Sequence, residues 1–159
     1  MAKAGDILGL GPNLRFRDAA ARAVVVRSEE MFAQSEGVLD ISDIERVHDM
    51  RVASRRLRAT LEVFAPAFPK SDYKRVLRDV KALADALGSR RDPDVAIERL
   101  ESAAAELTPA DTPGIESLVA YLQREQTEAN DDLARALERA EQNALRERLM
   151  LLAAEARAA

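Results

Sequence analysis

Apolar residues in segment 43–64 recur at intervals of three, four and seven, the spacing expected for one buried face of an α-helix. These residues are Val47, Met50, Leu57, Leu61 and Phe64. The polar positions between them carry mostly basic side chains, so the helix is predicted to have an apolar face and a cationic face. It should end before Pro66, because proline disrupts a helix interior.

Helical periodicity also predicts helices over about residues 13–35, 71–87, 94–107 and from 115 onward, the last as one bent helix or two. Together they predict an all-α protein, an antiparallel bundle of about four to six helices. The predicted core positions outside segment 43–64 are Ala19, Ala20, Ala23, Val24, Met31, Phe32, Ala33, Val76, Leu77, Val80, Leu83, Ala84, Leu87, Leu118, Tyr121, Leu122, Leu133, Leu137, Leu145, Leu149 and Leu152.

Residues with known preferences for helix ends mark the predicted boundaries. Asn13 is predicted to cap the first helix. The second is predicted to begin at Ser42 or Asp43, with Glu45 placed to complete a capping box from Ser42. Gly88 suits the left-handed position after the third helix, and Asp92 with Pro93 suits the start of the fourth. The sequence therefore predicts a turn between the third and fourth helices.

The 159 residues suit a single domain. Glycines and a proline interrupt residues 1–12, which are predicted to be a flexible leader before a domain over residues 13–159. The sequence has no cysteine, so it offers neither a disulfide framework nor a thiolate metal site. No apolar run approaches the roughly 18 residues of a membrane span, so we expect no membrane association and a cytoplasmic location.

The charge is distributed unevenly along the chain. The formal net charge is −4, yet residues 46–91 hold twelve Lys or Arg against five Asp or Glu. The ends of the chain are therefore strongly acidic and the middle is basic. Because local potential steers a charged ligand, the basic middle is the predicted binding region.

Basic side chains in this region follow helical spacing on two consecutive helices. The first row is His48, Arg51, Arg55 and Arg58, and the second is Lys74, Arg78 and Lys81. The short connection between the helices favours an antiparallel arrangement in which both rows line one groove. A file of guanidinium groups suits a linear polyanion, whereas the alternative is a solvated face paired with Glu from neighbouring helices.

Two blocks of residues resemble the CHAD family, the conserved histidine α-helical domain. Residues 47–64 read VHDMRVASRRLRATLEVF, and residues 81–95 read KALADALGSRRDPDV. The second block contains the family's turn motif at Leu87, Gly88, Arg91, Asp92 and Val95. The resemblance implies one CHAD-type helical bundle that binds inorganic polyphosphate without catalysis, with a helix break near residues 139–143, and it implies association with polyphosphate granules.

The predicted principal contacts are His48, Arg51, Arg55, Arg58 and Lys81, with Arg56, Lys74, Arg78 and Arg91 as flanking charges. Asp92 is carried over from the family motif as a helix cap that also orients Arg91. We expect no metal, no cofactor and no catalytic residue, because a lone histidine among arginines is a poor place for a cation and no phosphate-binding loop is found.

The chain corresponds to about half of a full CHAD domain, which resembles two helical bundles joined together. Half of an enclosed channel is an open groove, so a homodimer is expected to restore the missing half. An alternative function is a helical adaptor that receives an acidic protein segment. Nucleic acid is a weaker alternative, because no aromatic residue is interleaved between His48 and Arg58.

Overall fold

The computed structural model describes residues 4–104, 106, 108 and 112–158. Within these residues the chain forms five α-helices and one short 3-10 helix, and no strand. The α-helices are α1 (Phe16–Ala33), α2 (Ile44–Val63), α3 (Lys70–Ala104), α4 (Thr112–Gln142) and α5 (Leu145–Ala158). The predicted all-α bundle is confirmed.

The helices share one hydrophobic core. Helix α2 packs against α1 and α3, α5 packs against α1, and α4 lies along α3. The predicted apolar face of α2 is confirmed, since Val47, Met50, Leu57 and Leu61 have no exposed surface. Burying that face is what holds α2 in place and turns its basic stripe away from the core.

Three predicted core positions are wrong, because Ala33, Leu118 and Tyr121 are exposed. Ala33 is the last residue of α1, where the helix ends before it is covered. Leu118 and Tyr121 lie in the first half of α4, and the first buried residue that the structure describes in α4 is Gln126. Periodicity identifies an apolar stripe, but it does not show how far the neighbouring helix extends.

The predicted cap of α1 at Asn13 and the capping box predicted from Ser42 are wrong, whereas the predicted start of α2 at Ser42 or Asp43 is confirmed. Helix α1 has Arg15 at its N-cap position instead of Asn13, without a side-chain capping bond. The Ser42 hydroxyl donates to Asp40 Oδ1 at 2.7 Å, so it does not cap α2. Asp43 holds the N-cap position of α2, but its carboxylate accepts a hydrogen bond from Arg46. Ser42 and Asp43 therefore bond to local side chains instead of the free N–H groups at the start of α2.

The predicted turn between the third and fourth helices is absent, because α3 is one helix across it. Gly88 does not adopt a positive φ, and Pro93 is buried inside the helix. An interior proline costs about 3 kcal/mol, since it lacks an N–H donor. The following residue, Asp94, is buried in a polar cluster with α4, and this packing across the proline offsets the cost.

The segment after α4 breaks where the family resemblance placed the break. Helix α4 ends at Gln142 and α5 begins at Leu145. Ala144 lies between them with φ 49°, a left-handed conformation that costs about 1–2 kcal/mol for a residue with a side chain. Leu145, Leu149 and Leu152 are buried, so the change of direction lets α5 pack its apolar face against the bundle.

The residues before α1 lie against that helix. Arg22 Nη1 donates to the Gly9 carbonyl oxygen at 3.0 Å, and Arg27 Nη1 donates to the Gly5 carbonyl oxygen at 3.0 Å. Gly9 has φ 77°, and a side chain there would meet the Arg22 guanidinium. The division into a leader over residues 1–12 and a domain from residue 13 stays a prediction, and residues 1–3 lie outside the described part.

Candidate functional site

A tight corner joins the two helices that carry the basic rows. The chain makes a 3-10 turn over Ala65–Ala67 between α2 and α3. The Phe68 and Tyr73 rings stack with centroids 6.2 Å apart, and the Phe64 ring lies 5.2 Å from that of Phe16 on α1. Such a short connection makes α2 and α3 antiparallel neighbours.

Two distances show how α2 lies against α3. A Cβ atom built on Gly88 would lie 3.9 Å from Arg51 Nε. Nearer the corner, Arg58 Nε and Lys81 Nζ lie 3.1 and 3.2 Å from the same Glu62 Oε1 atom. The cationic row of α2 therefore runs along α3.

We call His48, Arg51, Arg55, Arg58 and Lys81 the basic surface. Its four α2 residues span about 15 Å of helix length and fall within about 80° of the helix circumference. Arg55 is exposed, whereas the other four side chains are half-buried. The half-buried side chains are partly held in place by their surroundings, so less conformational freedom is lost when they bind a ligand.

The residues of the basic surface differ in their counter-charges. Arg58 and Lys81 share the carboxylate of Glu62, whose pKa lies below its ordinary value because of the hydrogen bond from Arg58 and then the one from Lys81. Within the described residues, neither Arg51 nor Arg55 forms an ion pair. The ion pairs that the structure describes on this surface therefore lie at its corner end, around Glu62.

Three of the predicted flanking charges lie outside the basic surface. Arg56 is half-buried and lies about 140° around α2 from Arg51. Lys74 is exposed two turns before Lys81 on the same side of α3. Arg78 is also exposed, and its Nε donates to Asp79 Oδ1 at 3.2 Å. Arg56 therefore lies on another side of α2 from the row, whereas Lys74 and Arg78 lie on α3 nearer the corner than Lys81.

Arg91, the fourth predicted flanking charge, points into the protein. Its side chain is 11 % exposed, with Nη1 3.7 Å from Asp94 Oδ2 and Nη2 3.4 Å from Glu98 Oε2. Asp92 was predicted to cap a helix and orient Arg91, which is wrong: Asp92 is exposed in the middle of α3. The helix continues through this residue, so the carboxylates that reach Arg91 are those of Asp94 and Glu98, three and seven residues later.

Sequence reasoning missed the polar network around Asp94. Arg90 Nη1 donates to Asp94 Oδ1, and Gln126 Nε2 on α4 donates to the same oxygen at 2.6 Å. Arg90 Nε also donates to Asn130 Oδ1 at 3.0 Å. We call Arg90, Arg91, Asp94, Gln126 and Asn130 the buried cluster. The spacing of Arg90 and Asp94 signals a local ion pair, but nothing in the sequence connects them to α4.

A cavity of about 580 Å³ between α3 and α4 has the opposite charge to the basic surface. The carboxylates that line it are Asp92, Glu125, Glu128 and Asp132. These groups repel anions, so this cavity is unsuited to a phosphate ligand. No group of three or more His, Asp or Glu side chains in the described residues is arranged to hold a metal ion.

Among the described residues, no helix is both long and apolar enough to span a lipid bilayer.

The sequence profile of the CHAD domain matches residues 26–159. The chain belongs to the CHAD family. The matched range contains the whole of α2, α3, α4 and α5, and with them every residue of the basic surface and of the buried cluster. Comparisons with curated proteins and with solved structures return no significant match.

Proposed function

We propose that this CHAD domain binds inorganic polyphosphate without catalysing a reaction, through the basic surface. Membership of a family linked to polyphosphate binding supports the choice of ligand. The observation that carries the proposal is the pair Arg51 and Arg55, which lie in one row and form no ion pair within the described residues. Two guanidinium groups in one row without ion pairs can both bind to an extended anion.

The geometry of the row suits a polymer better than a single phosphate. Its four α2 residues extend over about 15 Å, whereas one phosphate contacts one or two neighbouring side chains. A linear chain of phosphates can contact Arg51 and Arg55 together and then continue toward Lys81 on α3. Each added contact is made by a ligand that is already bound, so affinity should rise with chain length until the row is filled.

The residues of the basic surface have distinct proposed roles. Arg51 and Arg55 supply permanent charges and bidentate donors to phosphate oxygens. Gly88 leaves room beside Arg51, because it places no side chain there. Lys81 and Arg58 extend the contact toward the corner, and His48 contacts the far end of the row. Arg56, Lys74 and Arg78 contribute through the long-range potential.

The structure favours a different role for Arg91. Its largely buried guanidinium is paired with the buried Asp94 and with Glu98, so we assign it to the packing of α3 rather than to ligand contact. Location in the cytoplasm, association with polyphosphate granules and homodimerisation remain predictions. Light scattering with and without long polyphosphate tests the dimer, and a strict monomer under both conditions would exclude it.

Competition calorimetry tests the proposed ligand. Size-fractionated polyphosphate, single- and double-stranded DNA and an acidic peptide are titrated at equal concentration of phosphate or carboxylate groups and at low salt. We expect long polyphosphate to bind most tightly and to displace both forms of DNA and the acidic peptide. Preferential binding of the acidic peptide would instead support the adaptor function, and preferential binding of DNA would support a nucleic acid ligand.

A further inference from the structure

Glu62 occupies the next position of the basic stripe on α2. It follows Arg58 by four residues, and so continues the alternation of three and four residues that begins at His48. The Glu62 Oε1 atom lies 3.1 Å from Arg58 Nε and 3.2 Å from Lys81 Nζ. The stripe of cations therefore ends in an anion that bridges the two helices.

The Glu62 carboxylate takes the place that a phosphate oxygen would occupy between the same two cations. Charge-assisted hydrogen bonds from Arg and Lys to phosphate have the same donors and similar lengths. The Glu62 side chain is 42 % exposed, as is that of Arg58, and Lys81 is 39 % exposed. A ligand approaching from solvent can therefore reach both cations if Glu62 moves aside.

We propose that Glu62 is an internal competitor of the ligand, holding Arg58 and Lys81 while the surface is empty and lowering affinity by making the ligand displace it. This inference rests on the proposed function. When an anion binds only to Arg58 and Lys81, these two cations exchange the Glu62 carboxylate for the anion. Little binding free energy is gained by this exchange. A polymer that also contacts Arg51 and Arg55 gains contacts for which Glu62 does not compete.

The same carboxylate has a second effect in the empty protein. Arg58 and Lys81 lie close together on adjacent helices, and Glu62 screens their mutual repulsion. Removing its charge should therefore weaken the packing of α2 against α3 slightly while it strengthens anion binding. Opposite effects on stability and affinity distinguish a competitor from a residue that only supports the fold.

The test compares Glu62→Gln with the wild-type chain by calorimetric titration of long polyphosphate over a series of salt concentrations. Two exposed ion pairs are released, so affinity should rise between about twofold and about thirtyfold at low salt. The substitution makes the basic surface more positive by one charge. The magnitude of the log–log slope of affinity against salt concentration should therefore rise by roughly 0.7 to 0.9. The melting temperature should fall by a few degrees.

Glu101→Gln is the matched control, since it removes the same charge from an exposed position of α3 about 30 Å along the helix from Lys81. It should leave affinity and slope unchanged. Equal binding by wild type and Glu62→Gln, or weaker binding by the variant, would overturn this inference alone. No polyphosphate binding by either protein would overturn the proposed function together with it.

Discussion

The basic surface and the buried cluster both depend on arginine, and they use it in opposite ways. Arg51 and Arg55 form no ion pair within the described residues, and Arg55 is exposed. Arg90 is fully buried against Asp94 and Asn130. A surface arginine without a counter-charge is available to a ligand, whereas a buried arginine must have its charge balanced within the protein. The local partner, more than the residue type, therefore indicates which arginines can bind.

The largest expected effect comes from reversing the charge of the basic surface. Arg51, Arg55 and Arg58 all changed to Glu should abolish polyphosphate binding in calorimetry, because the row becomes repulsive. Helical content by circular dichroism should stay nearly unchanged, since these side chains lie off the buried face of α2. Loss of helical structure would show that the row is needed for folding.

A matched triple variant separates position from net charge. Arg17, Arg99 and Arg124 are exposed and form no ion pair within the described residues. Reversing all three to Glu changes the net charge by the same amount, and binding should persist. If this control loses affinity as completely as the variant of the basic surface, total charge and not the row determines binding.

The buried cluster should show the opposite behaviour, with a loss of stability and unchanged binding. Asp94→Asn leaves Arg90 and Arg91 without their shared counter-charge, and breaking a buried ion pair costs about 3–5 kcal/mol. Urea denaturation should show this loss, while affinity measured in the cold on folded protein stays within about twofold of wild type. Asp92→Asn, two residues earlier and exposed, should change stability by about 0.5 kcal/mol or less.

The smallest expected effect concerns His48, the sole histidine of the sequence. It lies at the end of the row farthest from the corner, where it makes one of about five contacts, and glutamine keeps a hydrogen-bond donor there. Calorimetric titration of His48→Gln with long polyphosphate should therefore show an affinity reduced by less than about tenfold. A loss as complete as that of the triple reversal would contradict this minor role.

The sequence predicts the helix that carries the basic surface better than the helix region that carries the buried cluster. The apolar face of α2 and the row from His48 to Arg58 follow from periodicity within one helix, and the structure has the predicted apolar face. The turn predicted between residues 88 and 93 is wrong, although the helix predicted after it is present, because Gly88 and Pro93 are strong local signals for a turn. Asp94 is held by Gln126, which lies 32 residues away, and this tertiary contact overrides the local preference.

For the candidate site too, the sequence predicts features within one helix better than contacts between helices. Spacing along α2 identifies its cations, and the short corner predicts that α3 lies beside them. The bridge from Arg58 through Glu62 to Lys81 depends on the register of two helices, which the sequence leaves undetermined. Arg91 was predicted from the motif as a charge near the ligand. In the structure its side chain is largely buried and paired with Asp94 and Glu98.

The salt dependence of binding tests the central claim most directly, because a row of cations should neutralise several phosphates at once. Each phosphate contact adds roughly 0.7 to 0.9 to the magnitude of the log–log slope of affinity against salt concentration, so five contacts imply about 4. We expect a slope near that value for long polyphosphate, with orthophosphate binding far more weakly. A slope below about 1, or equally tight binding of orthophosphate, would contradict a linear polyanion on the basic surface.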